Sequence, residues 1–145
     1  MKTIVIQVSK IKLSSSILIG AAALFLAFTS MRVGNPEKWT APADADKKVN
    51  PVASNEKSIA AGKDIFGKSC VSCHGKKGKG DGPKSAELDK PVSDFTKEDF
   101  GKQTDGAIFW KITEGRKPMP SFKKEMTEEQ RWQVINYIKE FSKKK

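Results

Sequence analysis

Both cysteines and the only histidine of this 145-residue chain fall within five consecutive positions, Cys70-Val71-Ser72-Cys73-His74. No other feature restricts the possible folds so strongly. Two thiols separated by two residues, carried on a turn of helix, can reach the two vinyl groups of a single porphyrin. The adjacent imidazole then presents a ring nitrogen to the iron, so the spacing reads as covalent haem c attachment. The rival uses of these residue types fit poorly. A structural zinc site needs four good ligands, and the chain has two Cys and one His in all. A thioredoxin-like redox pair belongs in a βαβ context, which neither flank supplies. A disulfide closed across two intervening residues would be strained and would leave His74 without a purpose.

A haem iron bound on one side by His74 has a second axial position, open to Met, Lys, water or no ligand. Met1 and Met31 lie in the N-terminal segment, which leaves Met119 and Met126. Met119 sits between Pro118 and Pro120 in Gly115-Arg116-Lys117-Pro118-Met119-Pro120-Ser121-Phe122, a loop whose freedom the prolines restrict. Met126 directly precedes a helix-start signal, where an apolar residue commonly packs against the new helix. Met119 is the favoured axial ligand, and Met126 reads as core.

The remaining chain is organised around this motif. Residues 1–31 carry Lys2, Lys10 and Lys12 and no acid, and no charge occurs from Leu13 to Met31. A basic end before an uncharged run of 19 residues, about 28 Å as helix, reads as a signal sequence or an uncleaved membrane anchor, with the anchor favoured. Either places the rest of the protein outside the cytoplasm, on the periplasmic side of the cell envelope. Residues 32–55 contain Pro36, Pro42 and Pro51 and no apolar period, and read as a linker or arm with a flexible reach of about 28 Å. Trp39 is its exception, expected to lie over the folded domain. Residues 56–145 form the domain. Ile59, Gly62, Phe66 and Cys70 share one helical face behind a cap at Ser54 or Asn55. Gly75 to Gly82 is loop. A second helix is predicted from Thr104-Asp105 to Gly115, and Thr127-Glu128-Glu129-Gln130 is a capping box opening a last helix. No segment alternates as a strand, so the fold class is all-α.

From about Ile59 to Phe141 the chain resembles the bacterial single-haem class I cytochromes c. The resemblance rests on the Gly62/Phe66 helix, Cys70-Val71-Ser72-Cys73-His74-Gly75, Gly80-Asp81-Gly82-Pro83, Met119-Pro120-Ser121-Phe122 and the helix running from Arg131-Trp132 to Tyr137. It implies that the first and last helices cross closely at Gly62, with Phe66 meeting Tyr137. It also implies that the Pro83 carbonyl accepts the ring N–H of His74 and so orients it. The implied function is electron transfer by one covalent haem c, not enzymatic catalysis. A subunit of a larger redox enzyme and a haem-based ligand sensor with a displaceable Met119 are the alternatives.

The charge balance bears on partners. The formal net charge is +10, and outside residues 1–31 there remain 24 basic against 17 acidic side chains. Lys76, Lys77, Lys79 and Lys84 fall beside the attachment motif, where they would steer encounters with donor and acceptor proteins bearing acidic docking patches. Nucleic acid is not an expected partner, and the membrane is one through the N-terminal segment.

Overall fold

The computed structural model describes residues 38–143, and the expected signal or anchor over 1–31 lies outside them. The described residues are helical, as expected: α1 (Ala43–Asp46), α2 (Glu56–Ser69), α3 (Val71–His74), α4 (Glu98–Gly101), α5 (Asp105–Glu114) and α6 (Glu128–Lys143), with a 3₁₀ turn at Ser85–Glu87. Among them no helix is long and apolar enough to cross a membrane.

Three helix starts are set by side chains. Asn55 accepts from the Ser58 N–H at 2.9 Å and the Ser58 hydroxyl accepts from the Asn55 N–H at 3.1 Å, a reciprocal cap that opens α2. The Thr104 hydroxyl accepts from Ala107 N at 3.0 Å at the start of α5. Thr127 and Gln130 close the box that opens α6, at 3.2 and 2.8 Å. At its far end α5 stops at Gly115, whose φ of +67° favours glycine.

Packing is organised by the first and last long helices. A Cβ on Gly62 would stand 2.0 Å from the Gln133 carbonyl oxygen and 3.0 Å from Tyr137 Cβ, so α2 and α6 meet backbone to backbone. One turn along, Phe66 lies 5.4 Å from the Tyr137 ring and 5.6 Å from that of Phe141. Trp132 and Ile135 are fully buried, and Trp132 stacks on Phe109 of α5 at 4.0 Å.

Residues 39–55 depart from the expected linker. They belong to the same compact unit as the domain, which begins at Trp39. Lys48 pairs with Glu128 at 2.7 Å, Asn50 donates to Asn136 at 2.8 Å, and the Thr104 hydroxyl donates to Asp46 at 2.9 Å. Asn136, only 4% exposed, donates in turn to the Val52 carbonyl at 3.2 Å. The arm is held by polar contacts and small residues, and these leave no apolar period for a sequence reading to detect.

Gly62→Ala should therefore force the helices apart and cost about 3 kcal/mol in denaturant unfolding of the holoprotein. Gly67, in the same helix but with open space at its Cβ position, is the comparison. Gly67→Ala should stabilise by about 0.5–1 kcal/mol, because the only term left is backbone entropy.

Candidate functional site

The Cys70–His74 motif follows α2 with almost no break. Cys70 ends that helix, its N–H donating to the Phe66 carbonyl at 2.9 Å, and α3 turns from it. So short a helix leaves its carbonyls without internal partners. The glycine-rich loop supplies them: Gly80 N donates to His74 O at 2.9 Å, Gly82 N to Cys73 O at 3.1 Å, and Lys84 N to Ser72 O at 2.8 Å. At Gly82 a Cβ would stand 2.5 Å from the Ser72 carbonyl oxygen. Only glycine lets the loop approach this closely, which accounts for its composition.

His74 lies with its ring stacked on buried Phe95 at 4.4 Å. Burial holds its imidazole below the ordinary histidine range, and the Ser93 carbonyl opposes that shift. The result is a neutral ring, the form that can donate a lone pair to a metal. The carbonyl beside Nδ1 is that of Ser93, 3.4 Å away, where the family resemblance implies Pro83. Pro83 itself is exposed. The reason lies in the loop ladder, which commits Gly82 and Lys84 on either side of Pro83 to the α3 carbonyls. The chain then returns past Gly78, where Phe95 N donates to Gly78 O at 2.7 Å, and this brings Ser93 to the ring. Sequence reasoning missed Ser93 and Phe95 because the stretch from Lys84 to Val92 carries no motif that ties it to His74, 19 residues before Ser93.

Cys70 and Cys73 are both free thiols, half-buried. Burial and, secondarily, the neighbouring Cys73 push the Cys70 thiol up to about 12. It is a neutral group in an apolar wall, not a thiolate prepared for disulfide exchange.

Met119 comes from the loop that follows α5. Arg116 N donates to Met119 O at 3.1 Å and Met119 N donates to Arg116 O at 2.9 Å, closing a four-residue turn directly after α5. The Lys117–Pro118 peptide in this turn is cis. The chain beyond is fastened back to α5 by Ser121 Oγ donating to Thr113 O at 2.6 Å and Phe122 N donating to Ile112 O at 3.1 Å.

These segments meet at one narrow cleft with an enclosed volume of about 30 Å³. Cys70, His74 and Met119 all line it, with Phe66, Phe95, Ile112, Phe122, Met126, Val134 and Ile138 making the rest of the wall. Met126 thus reaches the same cleft as Met119. It is 8% exposed within the core cluster, whereas Met119 is half-buried at the end of a closed turn. Cys73 and Pro83 are not part of this wall. Among the described residues no group of three or more His, Cys, Asp and Glu side chains gathers to hold a bare metal ion. An apolar wall with one thiol, one neutral imidazole and thioethers suits a flat, apolar macrocycle whose metal binds N and S donors. The residues fit a haem.

A family model described as cytochrome C oxidase, cbb3-type, subunit III matches residues 57–138. Among solved structures, a chain of the Kuenenia stuttgartiensis reducing HAO-like protein complex is 33% identical, with a TM-score of 0.58. That match covers 63% of this chain and 46% of the other, so less than half of the longer chain has a counterpart here. No curated protein matches.

Proposed function

This chain belongs to the family described as cytochrome C oxidase, cbb3-type, subunit III, whose cytochrome c domains bind haem c and transfer electrons; from that premise we propose that it is a one-haem electron carrier working outside the cytoplasm. The observation that carries the reading is the convergence of Cys70, His74 and Met119 on one apolar cleft. Haem c, when bound, supplies the one-electron Fe(III)/Fe(II) couple, and no substrate bond is made or broken.

The residues of the chain take distinct parts. Cys70 and Cys73 would hold the haem through thioether bonds. His74 presents a neutral nitrogen to the iron, its ring held by Phe95 stacking and the Ser93 carbonyl. Met119, on its hydrogen-bonded turn, would give the iron a thioether ligand, a donor that favours the reduced metal and raises the potential. Phe66, Ile112, Phe122, Val134 and Ile138 exclude water, so little solvent reorganises as the charge changes. Residues 1–31 direct the domain to the periplasmic side and anchor it there. Lys76, Lys77 and Lys79 are exposed beside the attachment motif and meet acidic patches on redox partners.

A specific observation favours a second reading. The family is described as an oxidase subunit, and the solved relative is part of a redox complex. Residence as the haem subunit of a larger enzyme accords with both. Stable co-purification with a catalytic chain distinguishes that reading from a mobile carrier.

Haem should stay with the polypeptide through denaturation and acid–organic extraction, and Cys70→Ala with Cys73→Ala should make it extractable or abolish the holoprotein. Met119→Ala should remove the sulfur-to-iron charge-transfer band of the oxidised protein and lower the midpoint potential in a redox titration. Met126→Ala should keep that band and cost about 2–4 kcal/mol of stability as a core truncation; the opposite pair of results transfers the ligand role to Met126. Electron-transfer rates with an acidic partner should fall as ionic strength rises, and fall further when Lys76, Lys77 and Lys79 are changed to Gln, as stopped-flow measurements would show.

A further inference from the structure

The arm over residues 39–55 has no part in the haem chemistry described above, yet its first residue touches the segment that carries Met119. The Trp39 ring stands edge-on to Trp110 of α5, centroids 6.3 Å apart. The Arg116 guanidinium carbon lies 5.0 Å from the Trp39 ring centroid, and Lys111 Nζ lies 5.8 Å from it. Arg116 is the residue whose N–H and carbonyl make both backbone hydrogen bonds of the Met119 turn. Among the described residues it forms no ion pair, so the aromatic ring is its electrostatic partner.

From these contacts we infer that Trp39 is a positioning residue for the axial methionine: by holding the Arg116 side chain it keeps the Arg116–Met119 turn closed and the thioether in the cleft. This rests on Met119 being the iron ligand. The turn needs such support. Lys117, Pro118 and Pro120 are all exposed, so no core packing from them holds it shut. Trp39 is itself well fixed. Ala41, two residues on, is 7% exposed, and the Ala45 carbonyl oxygen sits where a Cβ on Gly106 would come within 2.0 Å. The arm continues to Lys48, whose Nζ lies 4.2 Å above the Phe109 ring and bonds Glu128. These later contacts act on α5 and α6, not on the turn. Trp39 and Lys48 therefore separate two effects, control of the turn and docking of the arm.

An exogenous ligand competes with Met119 for the iron, so its apparent affinity rises in proportion to the fraction of molecules with the turn open. Losing a half-exposed cation–π contact should raise that fraction roughly two- to fivefold. The experiment is a spectroscopic titration of the oxidised full-length holoprotein with imidazole. Trp39→Ala should tighten apparent imidazole binding roughly two- to fivefold, and Trp39→Phe, which keeps an aromatic face, should recover most of the difference. Lys48→Ala should lower global stability and leave imidazole affinity at the wild-type value. Arg116→Gln, which removes the cation but keeps the backbone groups that close the turn, should match Trp39→Ala and replaces it if that variant does not yield holoprotein. Wild-type affinity in Trp39→Ala and Arg116→Gln, or an equal rise in Lys48→Ala, overturns the inference. Met119→Ala serves as the reference. If it leaves imidazole affinity unchanged, the ligand assignment fails and the inference with it; if it tightens binding strongly while Trp39→Ala does not, the inference alone fails.

Discussion

The close crossing of α2 and α6 is the constraint from which the rest of the structure follows. With no side chain at Gly62, the two helices touch at the Gln133 carbonyl, and Phe66, Tyr137 and Phe141 fill the widening space one turn further on. Because α2 runs straight into Cys70, the crossing also fixes where the attachment motif stands relative to α6. Val134 and Ile138 of α6 then line the cleft together with Met119, Phe122 and Met126. A helix pair splayed by even one methyl group would move the thiols and the imidazole together, away from the thioether side.

The two faces of the site are held by different means. On the imidazole side, the loop from Gly75 to Lys84 satisfies the carbonyls of a helix too short to satisfy its own, and that backbone ladder gives α3 its rigidity. On the thioether side, Met119 has no helix under it. Two backbone hydrogen bonds, the Ser121 hydroxyl and the return of Phe122 to Ile112 hold it in place. The covalent attachment proposed for Cys70 and Cys73 would tolerate this asymmetry, since the haem would stay in place however the Met119 turn moves.

The arm adds a layer outside this helical frame. Its contacts with α5 and α6 are mainly hydrogen bonds, an ion pair and cation–π contacts. Exposed interactions of this kind are individually weak. Their effect comes from running along both helices that border the cleft, from Trp39 at the Arg116 turn to Asn50 at Asn136. The domain therefore begins at Trp39, not after Asn55.

Much of this was legible from residue order alone. The Cys70–His74 cluster named the cofactor chemistry, and capping residues at Asn55, Thr104 and Thr127 placed three helix starts, because these signals act within a few residues of one another. The periodic apolar positions likewise announced an all-α fold. Contacts between distant segments were not legible. Ser93 reaches His74, and Asn50, Lys48 and Trp39 reach α5 and α6, through side chains common in any loop. The same holds for Met126, which local order assigns to packing and which the fold brings to the cleft beside Met119. The amino-acid order by itself determined the chemistry of the site and the class of the fold, since bond-forming groups and helix signals are local. Which carbonyl meets the imidazole, and where the domain begins, were decided only when the chain closed on itself, because those contacts depend on backbone paths that no short run of residues encodes.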